Sequence, residues 1–290
     1  MGDGESLKTV LVTGAGGMLG RAVVCEFQRR GWQVVPLAHR ELDITDLQAV
    51  RKAVREYRPA VTVNCAAYTG VDQAESEVAG ALAVNALGVR NLALACKASG
   101  IDLVHISTDY VFPGDKESPW NIYDHRHPIN AYGRSKYLGE RFLETIAPNY
   151  YLVRTSWLFG QGGVNFIDTI LRLAREKEEL AVVDDQYGCP TYAEDLACAL
   201  ADLVGTGAYG TYHITNQGIT TWYGLARAIL EQAGIKIRLE PVKTAQFPRP
   251  ARRPANSALD PWPLAETIGY LLPSWEDALG RYIGDCLAHS

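Results

Sequence analysis

Val10-Leu11-Val12-Thr13-Gly14-Ala15-Gly16-Gly17-Met18-Leu19-Gly20 decides how the rest of the chain is read. A short apolar strand runs into a glycine turn, and Leu19, Val23 and Phe27 then recur at helical spacing. In such a strand-turn-helix, Gly14 permits the tight turn, Gly17 lets backbone amides approach a pyrophosphate, and Gly20 lets the helix pack on the strand. The spacing alone is weak evidence, but its position between strand and amphipathic helix makes it a dinucleotide-binding fingerprint. Gly14, Gly17, Met18 and Leu19 are therefore expected to hold the cofactor. About 20 residues on, an acid would normally hold the adenosine ribose. Here the chain reads Leu37-Ala38-His39-Arg40, so a guanidinium stands where the 2′-phosphate of NADPH needs one, with His39 beside it. NADPH is expected, with NADH the alternative through Glu41, and Asp43 and Ile44 are expected against the adenine edge.

Outward from this run, β-branched stretches alternate with amphipathic ones. Strands are expected at Thr9–Val12, Gln33–Leu37, Ala60–Asn64, Leu103–Ile106 and Tyr151–Arg154. Thr45-Asp46-Leu47-Gln48 reads as a capping box, and Val78, Leu82, Asn85, Val89, Leu92 and Cys96 as a helical stripe that Gly100 ends. The pattern is that of an α/β protein, a Rossmann-type doubly wound parallel sheet with a smaller, discontinuous C-terminal lobe. The dinucleotide-binding domain is expected over residues 1–157, regaining about 190–215, and the substrate lobe over 158–189 and 216–290.

Composition narrows the partners. The 290 residues carry a net charge of −5, which disfavours nucleic acid, since phosphate binding needs a basic face. No uninterrupted apolar stretch approaches the roughly 20 residues that span a bilayer, and the acidic start Met1-Gly-Asp-Gly-Glu-Ser6 lacks an apolar core. A cytoplasmic protein is expected. Six scattered cysteines without a Cys-x-x-Cys pair argue against disulfides or zinc.

The chemistry is expected at Tyr132-Gly-Arg-Ser-Lys136 and Ser107-Thr108-Asp109. With 15 tyrosines and eight lysines, about 0.4 Tyr-x3-Lys matches arise by chance, so context has to carry the motif. On a helix, Tyr132 and Lys136 share one face. An ammonium about 4.5 Å from the phenol, at an effective dielectric near 20, favours the phenolate by roughly 3–4 kcal/mol. That lowers a pKa of about 10 by two or three units, toward the range where general acid catalysis works best. Thr108 follows an apolar strand, at the sheet edge where open α/β sheets bind ligands.

Seven ordered segments together resemble the dTDP-4-dehydrorhamnose reductase family of extended short-chain dehydrogenases. They are Gly14 to Gly20, Asn64-Cys-Ala-Ala-Tyr68-Thr-Gly-Val71-Asp72, Ser107-Thr-Asp-Tyr-Val-Phe112, Tyr132-x3-Lys136, Arg154-Thr-Ser-Trp157, Asp185-Gln-Tyr-Gly-Cys-Pro-Thr191 and Ala251-Arg-Arg-Pro-Ala-Asn-Ser257. The resemblance implies reduction of the C4 ketone of a dTDP-sugar, dTDP-4-dehydro-L-rhamnose, to dTDP-L-rhamnose by NADPH or NADH. It implies that Tyr132 protonates the new alkoxide, that Lys136 tunes it and holds the nicotinamide ribose, and that Thr108 hydrogen-bonds the carbonyl. Ala66, Ala67 and Tyr68 would line the cofactor. Val71, Asp109, Tyr110 and Trp157 would line the sugar nucleotide, and Arg253 and Asn256 the diphosphate or the lobe wall. The alternatives are an epimerase or dehydratase with retained NAD, and a non-catalytic NADP-binding relative. Against a dehydratase, Thr108-Asp109 is followed by Tyr110, where such enzymes carry a glutamate.

Some family members hold magnesium at a dimer contact through a carboxylate just past the glycines. Here that stretch reads Gly20-Arg21-Ala22-Val23, so no such metal is expected, and monomer or homodimer stays open. His125-Arg-His127 reads as a solvated loop, and Asp184-Asp185 as the shaping of a turn.

Overall fold

The computed structural model describes residues 8–288, leaving the segment 1–6 and the Cys286 side chain outside the description. β1 (Thr9–Thr13), β2 (Gln33–Leu37), β3 (Val61–Asn64), β4 (Asp102–Thr108) and β5 (Tyr150–Thr155) alternate with α1 (Met18–Arg29), α2 (Leu47–Tyr57), α3 (Val78–Leu82), α4 (Val89–Ser99) and α5 (Ala131–Ile146). After β5 come β6 (Leu158–Phe159), α6 (Phe166–Glu176), β7 (Glu179–Val183), β8 (Tyr187–Gly188), β9 (Thr191–Tyr192) and α7 (Ala193–Val204). The chain finishes through β10 (Gly210–His213), β11 (Thr220–Thr221), α8 (Trp222–Gln232), β12 (Arg238–Val242), α9 (Leu264–Ile268) and α10 (Trp275–Ala288).

Six strands form one sheet in the order β10-β5-β4-β3-β1-β2, with every neighbouring pair parallel. A parallel sheet is covered on both faces, and β1 shows how its sequence meets that demand. Val10 and Val12 face α1 and α7, while Leu11 faces α2, α4 and α5, all three without solvent exposure. Each such side chain contributes roughly 1.5–3 kcal/mol of burial. The order in which strands are added reverses between β1 and β3, which places a crevice at the carboxyl ends of these strands. α6, α8 and α10 pack around a separate core of Ile167, Ile170, Leu225, Ile229, Trp275 and Leu279, beside which β7 pairs with β12, β8 with β11 and β6 with β9.

Two local readings change. The expected capping box does not begin at Thr45: Asp43 Oδ1 accepts from both the amide and the hydroxyl of Thr45, so Asp46 caps α2, accepting from the amides of Gln48 and Ala49. The single stripe over 78–96 is two α-helices joined by a π-helical segment, Ala83–Gly88, with Asn85 buried and Val78 exposed. By length and composition Val78–Ser99 would suffice to cross a membrane, but half of its most apolar window is buried inside the protein, and α4 packs against α2 and α5.

Candidate active site

Where β1 ends, Gly14 adopts φ +65°, and an added Cβ would lie 2.5 Å from the Ala66 amide nitrogen. A Cβ on Gly20 would lie 2.2 Å from the Gly14 carbonyl oxygen. These two glycines bring α1 down onto the turn and the turn against the chain leaving β3. Gly17 is the N-cap of α1 and contributes no side-chain cap, whereas Asp46, Asn130, Asn165 and Thr221 cap α2, α5, α6 and α8. The first amides of a helix have no intrahelical acceptor, and with the positive dipole end they suit a phosphate. Met18 is partly buried at this end, while Leu19 points into the core, so only its backbone faces the crevice side.

Arg40 follows β2 with its side chain 90% exposed and paired with Glu41 at 2.5 Å. That pair holds the Glu41 carboxyl below its usual range. Asp43 is exposed with its carboxylate turned to Thr45, and Ile44 is buried against Gly88. The Ile44 side chain is thus a core contact, which leaves Asp43 and the backbone as the parts of this pair open to an adenine.

The chain after β3 is held from two sides. Asn64 Oδ1 accepts from the Thr13 hydroxyl at 2.6 Å and the Ala66 amide at 3.2 Å, and Asn64 Nδ2 meets His105 Nδ1 at 3.0 Å. Burial and the nearby Lys136 charge keep His105 neutral. Asn85 accepts from the Tyr68 amide and donates to the Tyr68 carbonyl and to Ser135 Oγ, each at 2.9 Å. It therefore fastens the Ala66-Ala67-Tyr68 segment to α5. The polar residue in an otherwise apolar stripe was the signal for Asn85 in the sequence, and its function went unread there.

Asn130 caps α5, which carries Tyr132, Lys136 and Glu140 on one face. Lys136 is 2% exposed and its Nζ donates to the Ile106 carbonyl at 2.6 Å. Burial pushes its pKa down to about 8 against the opposing charges of Glu140 and Cys65. Tyr132 overturns the expectation of a lowered phenol: burial pushes it up to about 12, with Thr108 hydrogen bonding pulling down and Asp109 pushing up. Desolvation of the phenolate is the larger effect here, because the lysine's charge is itself weakened by burial and directed to a backbone carbonyl. A phenol so placed keeps its proton at neutral pH, which is the state a proton donor needs.

Thr108, at the end of β4, has its Oγ1 2.9 Å from Asp109 Oδ1 and accepts from the Tyr110 amide at 3.2 Å. Tyr110 meets the Tyr132 ring edge-on at 6.0 Å. At the end of β5, Thr155 is the register partner of Thr108, and Trp157 lies two residues further with φ +47°. One face of Trp157 stacks on Trp222 at 3.6 Å, so at most its other face or edge meets a ligand. Val71 is partly buried beside Asp72, whose carboxylate takes a double hydrogen bond from Arg253. Asn256 Nδ2 donates to the carbonyls of Lys116 and Glu117, and its Oδ1 accepts from Ala258, so it builds the lobe wall. Asp184 and Asp185 accept from Thr221 and Thr244 and shape their turn. Among the described residues no cluster of three His, Cys, Asp or Glu side chains stands in metal-binding arrangement.

Behind this face lies a buried charge network that the sequence concealed. Glu140 Oε1 accepts from Ser107 Oγ at 2.6 Å and Arg154 Nε at 2.9 Å, and Glu140 Oε2 from Arg154 at 2.9 Å and Arg126 at 2.7 Å. His213, pushed down to about 3 by burial and by Arg154, meets Arg154 Nη1 at 3.2 Å and so accepts from it.

Comparison with known proteins places this geometry. The family model described as RmlD substrate binding domain matches residues 8–287. A dTDP-4-dehydrorhamnose reductase of Streptomyces griseus is 49% identical over 257 residues, covering 86% of this chain and 84% of its own. A protein of Streptomyces niveus named dTDP-4-keto-6-deoxy-D-glucose reductase is 43% identical, covering 87% and 89%. The crystal structure of dTDP-4-dehydrorhamnose reductase from Bacillus anthracis in complex with NADP superposes with a TM-score of 0.94 at 41% identity, covering 97% of this chain and 100% of that one. UDP-glucose 4-epimerase of Thermus thermophilus, at 23% identity and TM-score 0.80, shares the fold.

Proposed function

Since this chain belongs to the dTDP-4-dehydrorhamnose reductase family of extended short-chain dehydrogenases, NAD(P)-dependent oxidoreductases, we propose that it reduces the C4 ketone of dTDP-4-dehydro-L-rhamnose to dTDP-L-rhamnose with NADPH. The observation that carries this reading is Tyr132, a phenol held protonated on the same helical face as Lys136 and within hydrogen-bonding reach of Thr108. The bound nicotinamide supplies the hydride. Gly14, Gly17, Met18 and Leu19 receive the pyrophosphate at the uncapped end of α1, and Arg40 meets the 2′-phosphate by leaving Glu41. Ala66, Ala67 and Tyr68 line the dinucleotide, and Asp43 and the Ile44 backbone meet the adenine.

As negative charge develops on the carbonyl oxygen, Tyr132 delivers its proton there, worth about 10²–10⁴ in rate for a positioned acid. Lys136 retains two ammonium hydrogens beyond the one given to Ile106, and these hold the nicotinamide ribose and stabilise the phenolate that forms. Thr108 orients the carbonyl. Val71, Asp109, Tyr110 and Trp157 bound the sugar nucleotide, while Arg253 offers its guanidinium to the diphosphate from its pairing with Asp72, and Asn256 holds the wall behind. The protein acts on its dTDP-sugar as a monomer or homodimer in the cytoplasm.

The test follows NADPH absorbance with dTDP-4-dehydro-L-rhamnose generated in place, beside other dTDP-4-keto-6-deoxy sugars, because one relative is named for a different sugar. Tyr132→Phe is expected to lose turnover while still binding NADPH. Persistent turnover in that variant rejects the acid assignment, and NADPH consumption with none of these sugars rejects the reaction.

A further inference from the structure

The hydrogen-bond accounting around Thr108 constrains Asp109. A threonine hydroxyl has one proton to give and two lone pairs to receive. The Tyr110 amide uses one lone pair, and Asp109 Oδ1 stands 2.9 Å away. If Asp109 is a carboxylate, Thr108 must give it its only proton. Tyr132 can then meet Thr108 only by donating to it, and the phenol's proton is turned away from the substrate. If Asp109 carries a proton and donates, both lone pairs are filled, and the threonine proton is free on the side of Tyr132 and the carbonyl.

The burial of Asp109 favours the second arrangement. The residue is 3% exposed, and among the described residues no ion pair reaches it and its buried Oδ2 has no hydrogen-bond partner. A charged carboxylate with an unsatisfied buried oxygen is far costlier than a neutral acid. We propose that Asp109 works as a neutral carboxylic acid that donates to Thr108 Oγ1 and thereby sets the direction of the chain Asp109 to Thr108 to Tyr132 toward the carbonyl. This rests on the reductase reading and gives Asp109, beside its place in the sugar-nucleotide wall, a positioning role through Thr108, with its proton retained throughout turnover. Burial is also the largest influence on its titration, raising it to about 7 against the pull of the nearby Ser257 and Thr108 hydroxyls. The titratable and charged groups around it are Tyr132 on α5, Tyr110 next in the chain, Cys189 between β8 and β9, and Arg253, which lies against Tyr110.

The experiment compares wild type, Asp109→Asn and Asp109→Ala between about pH 5.5 and 9, with NADPH and the 4-keto sugar. Wild-type kcat is expected to fall about tenfold per pH unit above the point where Asp109 loses its proton, ahead of the fall due to Lys136. Asp109→Asn, whose amide always has a hydrogen to donate, removes the first fall and keeps the second. Asp109→Ala lowers kcat at every pH by tenfold or more, beyond any rise in KM from its lost place in the sugar-nucleotide wall. Equal losses of kcat in the asparagine and alanine variants overturn the proposal, since they demand the carboxylate, and so does a rise in KM alone in both. An infrared difference spectrum of wild type against Asp109→Asn tests the protonation without any substrate. The carbonyl stretch of a buried carboxylic acid is expected below neutral pH and must vanish in the variant; its absence in wild type refutes the proposal. A present band with no sugar reduced refutes the reductase reading instead.

Discussion

Glu140→Gln is predicted to cost far more than the loss of one charge on a helix. Glu140 is fully buried, Arg154 is 1% exposed, and four hydrogen bonds from Ser107, Arg126 and Arg154 converge on the carboxylate. Burial raises the Glu140 pKa, but the charge and hydrogen bonds of Arg154, with those of Ser107 and Arg126, outweigh it and leave the carboxyl below its ordinary value. A folded-state pKa below the unfolded one means stability that is present above the unfolded value and lost as pH falls through the folded one. Replacing the carboxylate by an amide leaves the Arg154 guanidinium buried without a counter-charge, and breaking such a pair costs about 3–5 kcal/mol. At roughly 2–4 °C per kcal/mol, the melting temperature should fall on the order of 10 °C. Equilibrium urea unfolding at neutral pH measures the free energy, and repeating it in acid should narrow the gap between wild type and variant. The double variant Glu140→Leu with Arg154→Met should recover most of the loss, because apolar replacement of a whole buried pair is often neutral. A single-variant cost under about 1 kcal/mol, or a double variant less stable than the single, would refute this account of the network.

Lys136→Met should raise stability at neutral pH by up to roughly 3 kcal/mol while abolishing turnover, because the folded state holds this ammonium at a cost. The lysine's folded pKa lies below its unfolded one, so the gain should be full below about 8 and fade toward the ordinary lysine range; chemical denaturation at two pH values checks it. Arg40→Ser should weaken NADPH binding about 10–100-fold and NADH far less, from the loss of about 1.5–3 kcal/mol of charge-assisted hydrogen bonding; fluorescence titration with both dinucleotides reads the difference, and equal losses speak against a 2′-phosphate contact. Gly20→Ala should destabilise by about 1–3 kcal/mol and loosen dinucleotide binding, because its Cβ would lie 2.2 Å from the Gly14 oxygen and α1 must back away.

Much of the fold is written locally. β1 and the glycine turn were legible because the positive φ of Gly14 and the clearance of Gly20 from the Gly14 carbonyl are demands made within six residues, and the parallel strands because their apolar runs are bounded by helical periodicity. The π-helical segment at Ala83–Gly88 left no such mark, since it changes the phase of a helix without changing its composition. Thr45 and Asp46 are both good capping residues, and only the competing carboxylate of Asp43 decides between them. Tyr132, Lys136 and Thr108 stand together in the described site, yet the direction of the phenol's shift depends on how dry the site is, a property of packed neighbours far apart in the chain. Glu140, one turn beyond Lys136, bears no mark in the sequence of its partners, because Arg154 and Ser107 come against it only from neighbouring strands.

The place of β10 bears on how the protein is made. Its partner β5 ends at Thr155, but the strand that covers that edge is Gly210–His213, 55 residues downstream. During synthesis the ribosome releases a finished five-stranded layer whose Tyr151 to Arg154 rim stays open to any extended chain until the later segment has emerged. Nascent polypeptide in that interval is exposed to pairing with other chains, so growth temperature and translation speed through residues 156–209 should govern how much of the product escapes aggregation.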